Sequence, residues 1–317
     1  MSGRMMLGFA ALLTTAALWG SNHVVARASH ELVPLPALVF WRWALALLIL
    51  TPLALPQIRR DWQPLTRNAG GITLGGVVGV GIFSFLLIGG AYQSYALEVG
   101  IINATTPAWV ALIAWVSGQS LVGPKGWIGL ALAFAGTVII VAHGSLDVLT
   151  SFDIRIGNLW SLLGAMAFAW FSLQIRTWSR EISSISLTAT TAWAGLLIVM
   201  TPVYIVWLLM GGNAFAFEED KLPQALASIG YIGLGPTLVG NFCYLFGVAA
   251  VGPQRAAAFL YLSPVFTTLF SVTWLGEALH LYHLVGFGLI VAGLIVVNLD
   301  RTASAAKAAA DRAAAGR

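Results

Sequence analysis

Three side chains in the first apolar run have the types and spacing to do chemistry. Trp19, Asn22 and His23 stand at i, i+3 and i+4, so on a helix they share one face. His23 can donate, accept or carry a proton near neutral pH. Asn22 offers both a donor and an acceptor. Such a face inside a membrane segment must look at protein or water rather than lipid. It either lines a solute pathway or is a hydrogen-bonded packing patch. Ser21 points elsewhere, which predicts a bond back to a helix carbonyl. Arg42 lies inside the second apolar run, roughly 10 Å from its end at 1.5 Å per residue. It either snorkels outward and pairs with an acid such as Glu31, or offers a bidentate grip for a carboxylate.

Further candidates occupy corresponding places in the two halves of the chain. Tyr92 and Tyr95 are i, i+3 in the third run, and Asn241 and Tyr244 are i, i+3 in the eighth. Rings with polar tips suit the wall of a cavity for amphipathic solutes, or simply a core. Trp170 and Gln174 are i, i+4 and mirror Trp19 and His23; Trp193 is a weaker candidate that also fits an interface anchor. Pro107 and Pro264 each interrupt a run. A mid-helix proline strips the carbonyl four residues earlier of its donor, here Asn103 and Leu260. This predicts hinges beside the pathway, with Asn103 and Tyr261 close to the bends. From the third run onward no charged residue is expected near a span centre. There is no phosphate-binding glycine loop and no metal-ligand spacing, so neither a metal nor a cofactor is expected. The lone Cys243 cannot form an internal disulfide and reads as a small buried residue.

These side chains need a membrane scaffold. The chain is 59% hydrophobic and 9% charged, whereas about a quarter of the residues in a soluble domain are charged. Its net charge of +4 is therefore read by side of the membrane and not as a nucleic-acid footprint. The run to Arg27 has a signal-peptide look. It is long for one, and its echo near Trp170 predicts a retained helix. Ten segments approach the roughly 20 apolar residues of a span: 5–26, 35–55, 71–97, 99–117, 125–143, 156–176, 186–210, 225–250, 255–275 and 281–299. Lysines and arginines gather on one side if both termini are cytoplasmic. Glu31, Glu98, Asp147, Asp153, Glu277 and the acidic loop Glu218–Asp220 then fall outside.

An internal repeat organises the spans. Trp19 and Ser21 match Trp170 and Ser172, and Pro107, Gly129 and Gly136 match Pro264, Gly286 and Gly293 at a slightly larger offset. Each half, 1–148 and 149–300, holds five spans, an odd number, so the halves are inverted around a central cavity. Residues 301–317 form a basic cytoplasmic tail. Gly71, Gly75 and Gly79 make a small-xxx-small ridge. The glycines of the fifth and tenth spans are expected to pack those spans together, away from the pathway.

The chain resembles the drug/metabolite transporter superfamily in its EamA branch. The resemblance rests on Leu18-Trp19-Gly20-Ser21-Asn22, Arg42, Ser263-Pro264-Val265-Phe266, Gly276-Glu277, Gly286 and Gly293, and covers residues 5–299. Glu98-Val99-Gly100-Ile101-Ile102-Asn103 with Pro107 is similar to the aromatic amino-acid exporters of that branch. Ser120 departs from the pattern, standing where the second half has Glu277, and the run before Pro107 is shortened. The resemblance implies an all-α polytopic protein of ten helices in a bacterial inner membrane. It would be a monomer or homodimer that exports amino acids, aromatic and other neutral ones included, and related metabolites by alternating access. With no buried acid in sight, facilitated diffusion is expected. The alternative is a proton-coupled antiporter for nucleosides, sugars or drugs. A membrane enzyme built on Glu277, His280 and His283, and a channel or receptor, are the readings from other classes.

Overall fold

A computed structural model describes residues 3–118, 123–145, 147–148, 155–213, 221–251, 259, 262–296 and 299. Among the described residues the protein is all helix, with no strand. The chain runs as α1 (Gly3–Ala28), α2 (Leu35–Arg60), the short α3 (Trp62–Arg67) and α4 (Ala69–Gln93). Next come α5 (Ala96–Asn103), α6 (Thr106–Val116), α7 (Pro124–Val141), α8 (Ile156–Trp178) and α9 (Ser184–Leu209). α10 follows as Leu222–Ile232, Gly233–Val239 and Gly240–Val251, then α11 (Ser263–Leu275) and α12 (Leu281–Val296). Among the described residues seven helical stretches are long and apolar enough to cross a membrane: α1, α2, α4, α5 with α6, α8, α9 and α10. The expected fifth, ninth and tenth segments are helical over their described residues as α7, α11 and α12. Tyr261, Leu260, the acidic loop 218–220 and the tail 301–317 lie outside the described residues.

Close helix contact is set by missing side chains. A Cβ on Gly20 would come within 2.7 Å of the Ser263 carbonyl oxygen, so α1 and α11 touch backbone to backbone there. Gly136 and Gly286 face each other across α7 and α12: a Cβ on the first would lie 2.4 Å from the carbonyl oxygen of the second. Gly293 meets Gly129 in the same way. The expected pairing of these two helices is therefore present. Gly71, Gly75 and Gly79 form the expected ridge, on which Trp178 and Phe171 of α8 lie.

The packing is crosswise. α1 lies along α10 and α11, whereas α8 lies along α4, α5 and α6. On α1 and α10 the contacts step antiparallel. Thr15 Oγ1 donates to Gly240 O at 3.1 Å, and Trp19 Nε1 donates to Pro236 O at 3.1 Å. Ser21 Oγ shares a 2.7 Å hydrogen bond with Tyr231 Oη. Ser21 also donates to Leu18 O at 2.8 Å, the back-bond its position predicts.

Among the described residues three helices contain a π-helical stretch: Val77–Ile82 in α4, Leu196–Met200 in α9 and Gly233–Val239 in α10. In α10 the register shift and Pro236 would strand carbonyls, and side chains take them up. Gly240 N–H turns to Gly235 O, leaving Pro236 O to the Trp19 indole. Pro236 has no N–H for Ile232 O, and Thr237 Oγ1 donates there at 2.8 Å.

The proline positions correct an expectation. Pro107 does not bend a continuous helix. The chain breaks at Ala104–Thr105, and Pro107 sits in the first turn of α6, where a missing N–H costs little. The Asn103 carbonyl is taken by Thr106 Oγ1 at 2.7 Å. Pro264 likewise lies in the first turn of α11.

Candidate solute site and a polar knot at one end

α1 and α2 are bridged on either side by α4 and α10. Arg42 reaches into this region and is 4% exposed. It does not snorkel, and Glu31 pairs with His30 instead. Among the described residues no carboxylate lies within 4.0 Å of its guanidinium. Arg42 Nη2 donates to Ser84 Oγ at 2.9 Å, and Trp43 Nε1 donates to the same oxygen at 2.8 Å. The guanidinium also sits 5.6 Å from the Trp43 ring centre. Its Nε has no partner.

Asn22 and His23 on α1 are 6% and 7% exposed. Asn22 Oδ1 and His23 Nδ1 are also buried without partners. His23 is close enough to Arg42 for the two to interact electrostatically. An unsatisfied buried polar atom costs about 1–3 kcal/mol, so three of them in one region are not a packing solution. Trp19 joins Tyr244, ring centres 5.4 Å apart, beside Gly240. Next to Trp43 a narrow cleft opens between α2, α9 and α10, with about 10 Å³ of accessible space, room for one water. Ala46, Leu50, Ile185, Thr188 and Asn241 line it, with no charged side chain. Asn241 Nδ2 is turned to Thr237 O at 2.5 Å.

The other expected site residues lie elsewhere. Tyr92 Oη donates to Val33 O at 2.6 Å, and Arg27 donates to Tyr92 O at 2.6 Å; both ties close the α1–α2 turn. Tyr95 does not share a helix with Tyr92. α4 stops at Gln93, so the expected boundaries 71–97 and 99–117 shift to Ala69–Gln93 and Ala96–Val116. Tyr95 stands in the break, its ring 4.0 Å from the Arg155 guanidinium. Asn103 bonds back to Val99 O at 2.9 Å. Trp170 packs on the main apolar core, and Gln174 is half-buried one turn on. Trp193 Nε1 donates to Thr51 Oγ1 at 2.9 Å and ties α9 to α2. Cys243 is half-buried and unpaired.

The structure overturns the expectation of no buried acid. Glu98, read from the sequence as a loop residue, is fully buried in the first turn of α5. It accepts from Asn158 Nδ2 at 2.8 Å, Ser94 Oγ at 3.0 Å, Arg155 Nη1 at 3.1 Å and Tyr282 Oη at 3.3 Å. His143 Nε2 lies 3.4 Å away and His283 Nε2 3.9 Å away. Beside it, both oxygens of Glu277 accept from the free N–H groups of Ala96 and Leu97 at 2.9 and 3.0 Å. An acid after α11 thus caps the N-terminus of α5. Burial raises the Glu277 carboxyl above its ordinary range, opposed by these N–H groups and by Arg27. The one sequence signal for this knot is Glu98 followed at once by the apolar run Val99-Gly100-Ile101-Ile102.

At the opposite end, Asp61 accepts from Ser183 N at 2.9 Å and Ser183 Oγ at 2.6 Å, and Arg67 pairs with Glu181. The turn after α2 is thereby fastened to the α8–α9 turn.

A bundle with several apolar helices of membrane-crossing length and charge buried at mid-span is a polytopic membrane protein. Comparison with known proteins narrows this. The EamA-like transporter family matches residues 6–142 and again 155–299, and the chain belongs to that family. The uncharacterized transporter YetK of Bacillus subtilis is 23% identical over 94% of this chain and 88% of its own length. A probable terminal-alkyne amino-acid exporter of Streptantibioticus cattleyicolor is 26% identical over 91% of this chain and 92% of its own. The uncharacterized inner membrane transporter YedA of Escherichia coli K12 is 22% identical over 92% and 91%. A crystal structure sharing 18% identity superimposes with a TM-score of 0.58 over 95% of this chain and 98% of its own, so the fold is shared. Family and relatives point to a transporter rather than an enzyme.

Proposed function

We propose that the protein is a secondary carrier that exports amino acids and related small metabolites from the cytoplasm by alternating access. The observation that carries this reading is the set of unpartnered buried atoms on Asn22, His23 and Arg42 beside an apolar cleft. A carrier needs a mid-membrane site with unmet hydrogen-bonding capacity that is not permanently filled by protein. Trp19, Tyr244 and Asn241 form its wall on the α10 side. Trp170 and Gln174 are their counterparts on α8, and Asn103 lies beside the break between α5 and α6. Tyr92 and Tyr95 belong with the closing apparatus of one end.

Ten crossings follow if α7, α11 and α12 span with their flanking residues. Two inverted halves, 1–148 and 149–300, are supported by the two family matches and by the crosswise packing of α1 and α8. The glycine pairing of α7 with α12 supports the same symmetry. The distribution of basic side chains supports cytoplasmic termini. The Glu98 knot then closes the outer end, and rocking requires it to open. The Asp61–Ser183 tie, at the other end, joins the turn after α2 to the turn before α9, two of the helices that line the cleft. The S. cattleyicolor relative's name supports amino acids as the solute class.

Glu98 also favours a second reading, coupling to protons, because its carboxylate meets water only when the knot parts. Uptake by proteoliposomes across a panel of labelled amino acids, nucleosides and sugar phosphates, with and without a proton gradient, tests both. Saturable amino-acid flux without a gradient supports the carrier. Strict gradient dependence lost in Glu98→Gln supports coupling. Flux of other solutes alone overturns the amino-acid assignment.

A further inference from the structure

We infer that the Glu98 knot is a pH-operated latch: a proton taken up by His143 moves the Glu98 carboxylate from Arg155 to His143 and frees the head of α8. This goes beyond the carrier reading and rests on it only for the side of the membrane that the knot faces.

Three atoms form the switch. Arg155 Nη1 lies 3.1 Å from Glu98 Oε1 and 3.0 Å from His143 Nε2, and that nitrogen lies 3.4 Å from the same Oε1. A guanidinium only donates. His143 Nε2 is therefore the acceptor, which makes the ring neutral with its hydrogen on Nδ1. A proton on Nε2 reverses this. Donor then meets donor and cation meets cation at 3.0 Å, while the new N–H has a carboxylate oxygen beside it. Glu98 is fully buried and held by Asn158 and Ser94, whereas the Arg155 side chain is 34% exposed. Arg155 is the group that yields, turning to water. Of the two donors that α8 and its N-cap give Glu98, Asn158 alone then remains among the described residues.

The backbone supports a role for the ring. His143 follows α7 at φ 52° and Gly144 follows at φ 71°. Glycine is favoured at such a position and a side chain is strained there. The imidazole also stands at the C-terminal end of α7, where the helix dipole favours a cation.

The other ionisable neighbours are committed. His283 Nδ1 accepts from His280 N–H at 3.0 Å, so its hydrogen sits on Nε2, 3.9 Å from Glu98 Oε1. A second proton on that buried ring would have to displace the backbone N–H. Tyr282 Oη donates to Glu98 at 3.3 Å; its ring lies 6.0 Å from that of His143 and is stacked on His280. Glu277 is bound to the Ala96 and Leu97 N–H groups, within electrostatic reach of Arg27 and Glu98. Tyr95 lies against the Arg155 guanidinium, and Asp147 is four residues beyond His143. Glu98 itself is surrounded by donors, which a proton on its carboxylate would oppose. His143 touches both members of the Glu98–Arg155 pair and has a side chain 20% exposed, open to protons from water.

Histidine changes charge between about pH 5 and pH 8, and the test covers that range. Ser161 is fully buried one turn beyond Asn158, against Gly90 of α4. A Ser161→Cys thiol in a Cys243→Ser background reports the parting of α8 from α4. Its labelling by a methanethiosulfonate reagent is followed in detergent solution. Each rate is divided by that of the same protein carrying His143→Gly, which cancels the thiol's own pH dependence. Glycine suits the left-handed backbone at that position. The ratio should rise about fivefold or more towards acid, the worth of one hydrogen bond. With Arg155→Ala in both proteins it should stay flat. Hydrogen exchange at residues 96–99, with Ser161 and Cys243 intact, gives a second reading by the same ratio. A ratio that is flat or falls towards acid would overturn the inference, as would a rise that survives Arg155→Ala. Neither readout needs a solute: a rising ratio without amino-acid flux sinks the carrier reading alone, and a flat ratio with saturable flux sinks the latch alone.

Discussion

Arg155 donates to Glu98 at 3.1 Å while its guanidinium lies 4.0 Å from the Tyr95 ring. Glu98 and Tyr95 flank the start of α5, and Arg155 immediately precedes α8. One cation therefore clamps the α4–α5 break to the head of α8. Glu98 is fully buried, whereas the Arg155 side chain is 34% exposed, and the two should respond differently to truncation. Glu98→Ala takes the acceptor from buried Asn158 Nδ2 and one partner each from Ser94, Arg155 and Tyr282, and should cost about 3 kcal/mol. Arg155→Ala, screened by solvent, should cost about 1 kcal/mol. Thermal unfolding of detergent-solubilised protein reads both; equal losses would show that the knot does not depend on Glu98 as its centre.

The break between α5 and α6 makes a sharper prediction. Thr106 Oγ1 supplies Asn103 O with the donor that Pro107 cannot. Thr106→Ser keeps the hydroxyl and should be near neutral, and Thr106→Val should cost about 1 kcal/mol. In Pro107→Ala the restored N–H can serve Asn103, so the Thr106→Val loss should shrink in that background. A double-mutant cycle on unfolding midpoints measures the coupling, and simple additivity would contradict the arrangement.

Two carboxyls at opposite ends should give opposite pH dependence. Burial opposes ionisation of Asp61, yet hydrogen bonds from Ser183, Ser186 and Gln57 outweigh it and hold the group below its ordinary value of 3.8. Its stabilising contribution is then full above that value and is lost as pH falls through the folded-state pKa. Glu277 is shifted upward from 4.5. Its contribution is greatest below that value and declines as pH rises through the raised pKa. Unfolding midpoints followed from about pH 3 to pH 7 should show the acid-side loss flattened in Asp61→Asn. The fall above the ordinary carboxylate range should be flattened in Glu277→Gln. Parallel curves for the two variants would contradict these environments.

The pairing of α7 with α12 depends on absent side chains. Gly136→Val would drive a branched side chain into the Gly286 carbonyl and should prevent stable folding or strongly lower the unfolding midpoint. Gly230→Ala, with open space around it, should be neutral or slightly stabilising. Recovery of monodisperse protein by size exclusion separates the two outcomes.

Much of this architecture could be read from the chain because a membrane leaves few choices: apolar length and proline or glycine punctuation locate helices directly. The central site was legible for the same reason, since Asn22, His23 and Arg42 are conspicuous where polar groups are costly. Glu98 was not. It lies at the edge of an apolar run, where loop acids are ordinary, and its burial comes from Arg155, Asn158 and Tyr282, which are distant in sequence. Tyr95 was misplaced because nothing in Gln93-Ser94-Tyr95 marks a helix break. Tyr92 fell among the solute candidates because its bond to Val33 O closes a turn that periodicity does not describe.

The central claim is that a solute held at Asn22, His23 and Arg42 moves with a rocking of the bundle. Exchange across proteoliposomes tests it most directly: efflux of labelled L-leucine is followed with and without unlabelled L-leucine on the opposite face. The account predicts saturable efflux that is accelerated by the opposing substrate, with the acceleration abolished in Arg42→Gln protein that retains the wild-type unfolding midpoint. Efflux that rises linearly with concentration and ignores the opposing solute would contradict it.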